Sequence, residues 1–352
     1  ERNLMSKKGL ILGVLALLLL YAGVAAASGG EANVFVYHRF GDSRYPSTNI
    51  KLKVFSEQLA YLKTHHYTVW PLSKIVQHLK NGTPLPEHCV ALTVDDAFKT
   101  FLTGAMPLLR RYHYPVTLFV STEAVDGDSY LTWDELKALT KEGVEIGNHT
   151  RTHPYLLNRR RGEDEKAWRA RVRREILDAQ KTLQERLGVT PTVFAYPYGE
   201  FSPQLAQIVR SLGFLGAVGQ QSGVMAPGED LFTLPRFPMG GPYATVSGFR
   251  AKLAMRALPV TVLKPGSPVL GTANPPTLVV KITPGVVDLK QLRCYVPGQP
   301  LARLHVDASA PDEVTVQAQA PLTGRRSKYT LTAPDRDGHW YWFSQLWVQP
   351  SR

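Results

Sequence analysis

A chain of 352 residues with 44% apolar side chains is longer than one ordinary domain needs and can bury a sizeable core. Its formal net charge of +12 would suit nucleic acid, an anionic membrane or an acidic polymer, but the basic residues form no single block. Arg159-Arg160-Arg161 and the helix after them are interleaved with Glu163, Asp164, Glu165 and Glu175, which reads as a solvated face; with no nucleic-acid-binding signature beside it, no nucleic-acid partner is expected, and the two distant cysteines, Cys89 and Cys294, exclude a disulfide framework.

Lys7-Lys8 precede an apolar run from Gly9 to Ala27 that ends in Ala25-Ala26-Ala27-Ser28. Residues 1–28 read as a secretory signal with a small-residue cleavage site. They read equally as an uncleaved anchor, because about 18 residues rising about 1.5 Å each reach roughly 27 Å, close to a bilayer core. In either case the rest is expected to be exported: periplasmic, secreted, or tethered to the inner membrane through this segment.

From Asn33 onward strands and helices alternate. Asn33 to Tyr37 reads as a strand, Val54 to Lys63 as an amphipathic helix, Tyr67 to Trp70 as a strand and Leu72 to Leu79 as a helix. Val90 to Val94 is a nearly continuous apolar run, which suits a parallel strand buried on both faces. Thr100 to Tyr112 reads as a helix and Val116 to Val120 as a strand. Thr132 with Glu135 makes a capping box for a helix running to Glu142. Val144 to Gly147 is a strand, Glu165 to Leu187 a long helix stopped by Gly188, and Thr192 to Tyr196 a strand. Pro203 to Leu212 is a helix and Phe214 to Val218 a strand. This rhythm predicts an α/β fold, a distorted (β/α) barrel over residues 31–257. Beyond Leu258 helical periodicity disappears, and six short strands between Thr277 and Val348 predict a smaller all-β sandwich over residues 270–352. A monomer is expected.

Chemistry concentrates at three strand tips, where parallel α/β folds bind ligands. The first is Thr93-Val94-Asp95-Asp96-Ala97: adjacent acids repel unless something compensates, and a metal ion would. They read alternatively as a helix N-cap. The second is His149-Thr150-Arg151-Thr152-His153-Pro154, where Pro154 disfavours helix and predicts a tight loop or single turn. His149, His153 and one of the two adjacent acids together have the composition of a three-ligand catalytic metal centre with a position left for water. The third is Phe194-Ala195-Tyr196-Pro197-Tyr198-Gly199, either a plain turn or a wall of the site with a backbone N–H aimed at an oxyanion. Tyr341, Trp342, Phe343 and Trp347 would stack sugar rings or fill the sandwich core.

Over about Asn33 to Arg256 the chain resembles the polysaccharide deacetylases of carbohydrate esterase family four, the NodB homology domain. Thr93-Val94-Asp95-Asp96-Ala97, His149 to Pro154 and Ala195 to Gly199 match that family's first three motifs. Val36-Tyr37-His38-Arg39 and Phe194 to Gly199 are similar to the circularly permuted poly-N-acetylglucosamine deacetylases. The resemblance implies Asp95 as general base, His38 as general acid, and Asp96, His149 and His153 as ligands of a zinc-type ion, with cobalt or nickel as alternatives. It also implies an oxyanion and substrate-binding wall from Tyr196, Pro197 and the Tyr198 N–H. Three departures stand out, one of them the absence of the family's late Leu-x-x-His acid motif, since no His lies between His153 and His305. Ala97 replaces a Gly, which is tolerable if its φ is negative. Ala195 replaces an Arg that orients the base, and Arg236 would either supply the lost charge or make a surface ion pair. The implied activity is removal of N-acetyl groups from an N-acetylglucosamine polysaccharide, with Asp95→Asn or His38→Ala expected to cut the rate by at least about 10²–10⁴-fold while folding stays intact. The competing readings are a catalytically inactive sugar-binding protein with a decayed barrel, and a two-carboxylate glycosidase, for which adjacent acids are poorly spaced.

Overall fold

Apolar runs of three to six residues become parallel strands because helices cover them outside and their inner faces pack on one another. In the structure, a computed structural model, residues 30–351 are described, and the expected signal or anchor lies outside them. The strands are β1 (Ala32–Tyr37), β2 (Cys89–Val94), β3 (Thr117–Val120), β4 (Glu145–Asn148), β5 (Val193–Ala195), β6 (Gly216–Val218) and β7 (Phe237–Pro238). They pair in the order β7-β1-β2-β3-β4-β5-β6, all parallel, and an eighth two-residue strand, Thr68–Val69, pairs parallel with Cys89–Val90 of β2 off this path. Every residue of β1 and β2 is buried, as the unbroken apolar pattern requires. The two ends of this sheet meet through one segment. Leu234 bridges Val218 of β6, and shortly afterwards Phe237 pairs with Phe35 of β1. A broken strand thus closes the curve, which is why the barrel is distorted.

The register brings Tyr37 beside Val94, Val120 beside Asn148 and Ala195 beside Val218. Residues following these tips therefore share one rim. Helices α1 (Leu52–Thr64), α2 (Leu72–Asn81), α3 (Met106–Tyr112), α4 (Trp133–Lys141), α5 (Glu165–Leu187), α6 (Pro203–Ser211) and α7 (Val246–Leu253) connect the strands. The Thr132–Glu135 capping box is formed, and α5 ends at Gly188 in the left-handed conformation. The single helix expected from Thr100 begins instead as a π-helical stretch, Phe101–Ala105, before α3. Among the described residues no helix is long and apolar enough to cross a membrane.

The C-terminal strands are β8 (Val260–Lys264), β9 (Thr277–Ile282), β10 (Arg293–Tyr295), β11 (Arg303–Asp307), β12 (Ala310–Gln317), β13 (Arg326–Pro334) and β14 (Trp340–Val348). They form two four-stranded sheets, β8-β9-β12-β11 and one in which Arg256–Ala257 precedes β14-β13-β10. A shared core of Leu278, Val280, Cys294, Val314, Tyr329, Leu331 and Trp347 lies between them. Strand β8, which lies before the expected sandwich start at residue 270, pairs with β9 and belongs to this sandwich. Its alternating Val and Thr residues were masked by the Pro and Gly around them. Cys89 and Cys294 are buried and free, and burial pushes both thiols up to about 12.

Candidate active site

Beyond the tip of β2 the chain turns sharply. Asp96 and Ala97 both have positive φ, 76° and 56°. Ala97 therefore does not meet the negative-φ condition under which its Cβ is free of strain; the left-handed conformation costs an L-residue about 1–2 kcal/mol. The loop opposite holds the turn in place, since Leu131 N–H donates to Ala97 O at 3.0 Å and Lys99 N–H to Ser129 O at 2.9 Å.

The turn sends Asp95 and Asp96 to different partners. Asp96 faces the loop after β4, which is irregular rather than helical, with positive φ at Thr150 and His153. Asp96 Oδ1 lies 3.5 Å from His149 Nε2 and 3.4 Å from His153 Nε2, and the two Nε2 atoms are 3.1 Å apart. A tetrahedral ion with bonds of about 2.0–2.1 Å has ligand-to-ligand edges of roughly 3.3 Å, so this donor triangle fits one. His149 Nδ1 is 2.8 Å from Ala195 O. Donation of Nδ1–H there leaves the Nε2 lone pair facing Asp96 and His153, the tautomer a ligand needs. Asp96, His149 and His153 form one of two groups among the described residues whose donor atoms lie within 4.8 Å of one another. The other, Asp335, Asp337 and His339, is a hairpin turn in which Asp335 accepts backbone N–H groups from Asp337 and His339.

Glu175, read as one charge of a solvated face, is buried instead. Its Oε2 accepts from Thr152 N–H at 3.0 Å and from Thr152 Oγ1 at 3.1 Å, fixing the histidine loop to α5. Of the neighbouring arginines, Arg169 pairs with Glu165 at the surface, and Arg171 pairs with Glu163 in a more sheltered position.

Asp95 is fully buried and bound at both oxygens by Arg236, Nη1 to Oδ1 at 2.8 Å and Nη2 to Oδ2 at 2.8 Å. Arg236 is also fully buried, with Nε donating to Gly219 O and Nη1 to Thr93 Oγ1. It thus approaches Asp95 from the segment that closes the barrel and does not line an open surface. Burial pushes the Asp95 carboxyl up, but the Arg236 charge, then the His149 charge and the Arg236 hydrogen bonds, outweigh it and hold the carboxyl below the ordinary range. For Asp96, burial is likewise outweighed by the His149 hydrogen bond and the surrounding histidine charges, and its carboxyl lies well below that range. Burial disfavours charge on His149, yet the Asp96 hydrogen bond and both carboxylates raise it; burial and the His149 charge lower His153 to about 4.

His38 follows β1, with Nε2 4.0 Å from Asp95 Oδ2 and its side chain 16% exposed. Tyr198 sits at φ 59° in the short turn Pro197–Gly199, and its N–H finds no acceptor among the described residues. Its ring meets His153 edge-on at 4.5 Å and stacks on Tyr155 at 4.0 Å. Pro197 is buried at the start of the turn. Tyr196 departs from the expected wall: its ring packs among Phe194 and Phe201, and its hydroxyl donates to Phe232 O at 2.8 Å. A strand-end residue alternates to the core side, and this one did.

Four residues that join the site had no sequence signal for it. Gln220 Nε2 donates to Asp95 Oδ2 at 3.3 Å. It also crowds Gly199, where a Cβ would lie 2.6 Å from the Gln220 backbone nitrogen, so both that approach and the φ of +71° require glycine. Tyr155 and the sandwich arginines Arg325 and Arg326 form the outer layer. Both arginines donate to buried Glu200, beside the Tyr198 turn, at 2.7–2.9 Å, and the Arg325 guanidinium lies 3.9 Å from the Tyr155 ring centroid. A cleft of about 530 Å³ opens over Asp96 and His153, lined also by Ser121, Glu123, Tyr130 and Tyr198.

Residues 82–217 match the family model described as polysaccharide deacetylase. Among curated relatives, the poly-beta-1,6-N-acetyl-D-glucosamine N-deacetylase of Escherichia coli K12 is 27% identical over 230 residues, 55% of this chain and 34% of the relative. The Staphylococcus aureus MRSA252 protein of the same name is 24% identical over 227 residues, 63% of this chain and 77% of its own. The chain thus spans about a third of the length of the E. coli relative. Two solved structures share the fold: Streptococcus pyogenes deacetylase PplD in complex with acetate (TM-score 0.58, 20% identity, 64% of this chain and 99% of that one) and IcaB from Ammonifex degensii (0.56, 23%, 64% and 98%). Residues 82–217 are thus similar to polysaccharide deacetylases, and the motif residues gathered on one rim lie within and around that stretch.

Proposed function

We infer that the chain is a metal-dependent hydrolase that removes N-acetyl groups from an N-acetylglucosamine-containing polysaccharide. The observation that carries this is the convergence of Asp96, His149 and His153 on one point, with Asp95 next to it and held ionised by Arg236. A divalent cation bound by those three residues, a zinc-type ion with cobalt or nickel as alternatives, supplies Lewis-acid polarisation of a water and of the amide carbonyl. Asp95 accepts the proton of the attacking water. Arg236 and Gln220 orient its carboxylate. The Tyr198 N–H donates to the oxyanion that develops on the former carbonyl oxygen. His38 donates a proton to the departing sugar amine, and the products are acetate and a glucosamine unit. The cleft beside Tyr130 and Tyr198 receives the acetylated ring.

The decayed-barrel reading took its motive from Ala195. The Arg236–Asp95 pair leaves that motive without support. The glycosidase reading leaves both histidines idle. An exported location follows from the Lys7-Lys8 and apolar pattern, with the polymer met outside the cytoplasm.

The test is acetate and free-amine release from an acetylated glucosamine oligomer, measured against new reducing ends. Metal-loaded protein is expected to release acetate without new reducing ends. Chelator-treated protein should be inactive and regain activity on adding back the ion. His149→Ala should lose stoichiometric metal by elemental analysis together with turnover. Reducing ends without acetate, or full activity in His149→Ala, would remove the proposal.

A further inference from the structure

Alternation along β13 and β14 sends Tyr329, Leu331, Ala333 and Tyr341 inward to the sandwich core. The opposite face of the same sheet carries Lys328, Thr330, Thr332, Trp340 and Trp342, with Tyr295 of β10 paired beside Thr330. It turns toward the barrel rather than toward open solvent. Trp342 anchors it: the ring meets Phe237 edge-on at 5.6 Å, and Nε1–H donates to Ser222 O at 3.0 Å. Beyond that anchor the two halves separate. A cleft of about 470 Å³ remains between this face and Tyr243, Lys252 and Met255 on and near α7. That is large enough for a small ligand.

Two features of its lining point to an occupant. Tyr243, Tyr295 and Trp340 are 53%, 52% and 41% exposed around one opening, a grouping of large rings that a surface rarely leaves uncovered. Lys328 and Lys252 both reach the cleft with no carboxylate paired to either among the described residues. Lys328 Nζ donates only to Ser222 Oγ, at 2.7 Å, and Lys252 Nζ only to Gly248 O, at 3.4 Å. Burial, and then the Lys252 charge, lower the Lys328 ammonium to about 8. The cleft combines flat apolar faces, hydroxyls from Ser222, Thr330 and Thr332, and two ammonium groups lacking a counter-charge. Pyranose C–H faces pack on such rings, sugar hydroxyls exchange hydrogen bonds with such hydroxyls, and an anion compensates the ammoniums.

We propose that this interdomain cleft binds a saccharide unit bearing a carboxylate or phosphate, its ring against Trp340 and Tyr295 and its anion between Lys252 and Lys328. The site is separate from the proposed hydrolysis, whose product acquires a positive amine. It would let the protein hold an acidic glycan while the barrel works on a neutral one.

The test is calorimetric titration of the metal-loaded chain with three probes: a glucuronate–N-acetylglucosamine tetrasaccharide, N-acetylglucosamine 6-phosphate and neutral chitotetraose. At least one acidic probe is expected to bind, and to weaken roughly tenfold or more in Lys328→Met, in Trp340→Ala and on raising salt to about 0.5 M. Which acidic probe binds distinguishes a uronate from a sugar phosphate. Chitotetraose binding and acetate release should be the same in Lys328→Met as in the parent, so loss of hydrolysis and loss of this site are read separately. Failure of both acidic probes overturns the proposal. So does unchanged acidic-probe affinity in a folded Lys252→Met/Lys328→Met protein.

Discussion

Asp95 illustrates how a single residue's structural and chemical duties become inseparable. The expectation that Asp95→Asn removes activity with folding intact does not survive its surroundings. The substitution leaves the Arg236 guanidinium, 0% exposed, without its counter-charge. Breaking a buried pair in this way costs about 3–5 kcal/mol. Asp95→Asn is therefore expected to lose both turnover and roughly that much stability in a denaturant titration. His38 makes the cleaner test. It is partly exposed and carries no comparable ion pair, so His38→Ala should stay within about 1 kcal/mol of the parent. Its turnover should fall by about 10²–10⁴, the range for loss of a proton-transfer group. Near-parent acetate release from folded His38→Ala would remove it from the mechanism. Asp95, Asp96, His149 and His153 were legible because adjacent acids at the end of an apolar run and an HxxxH-Pro loop are local patterns, whereas His38 was singled out only through the family resemblance. Tyr196 was over-read, since side-chain direction at a strand end depends on pleat and register.

At the scale of elements, chain connections keep the site in place more than helices do. The histidine loop has no regular structure of its own; Glu175 of α5 fixes Thr152, and Asn148 Oδ1 accepts the Thr150 N–H at 2.9 Å. The turn carrying Tyr198 is similarly held, through Glu200, by Arg325 and Arg326 of the sandwich. Replacing both arginines by alanine leaves the Glu200 carboxylate, 1% exposed, unpaired. A loss of about 3 kcal/mol is expected by chemical denaturation. Release of the Arg325–Tyr155–Tyr198 stack should also lower kcat/KM on an acetylated oligomer, while metal content stays unchanged. Full activity in the double variant would mean that the sandwich merely adjoins the turn. Helix boundaries were readable at Thr132 and Gly188 because capping is a local rule. The π-helical start before α3 was not, because the apolar spacing of that segment is compatible with either helix.

The whole molecule joins a barrel closed by a broken strand to a sandwich that leans on its rim. Their interface leaves the Lys328 ammonium at about 8, lowered by burial and by Lys252. For a lysine whose folded value lies below its unfolded value near 10.4, the unfolded chain binds more protons between the two. Stability should therefore rise with pH across about pH 8–10.4, as the folded amine no longer has to carry its charge. Lys328→Met should flatten that rise, measured as the difference between the two proteins' denaturation midpoints at each pH. An identical slope in both would place the ammonium in solvent. By itself the sequence determined the alternation of strands and helices, the change to all-β structure, and the acids and imidazoles at the strand tips. Each of these is written within a few consecutive residues as apolar period, turn chemistry or motif. Only the tertiary structure decided that Arg236 pairs with Asp95 inside the barrel, that Gln220 donates to the same carboxylate, and that Glu200 links barrel to sandwich. Those pairings depend on where the closed barrel and the docked sheet bring distant segments, and no local spacing encodes that distance.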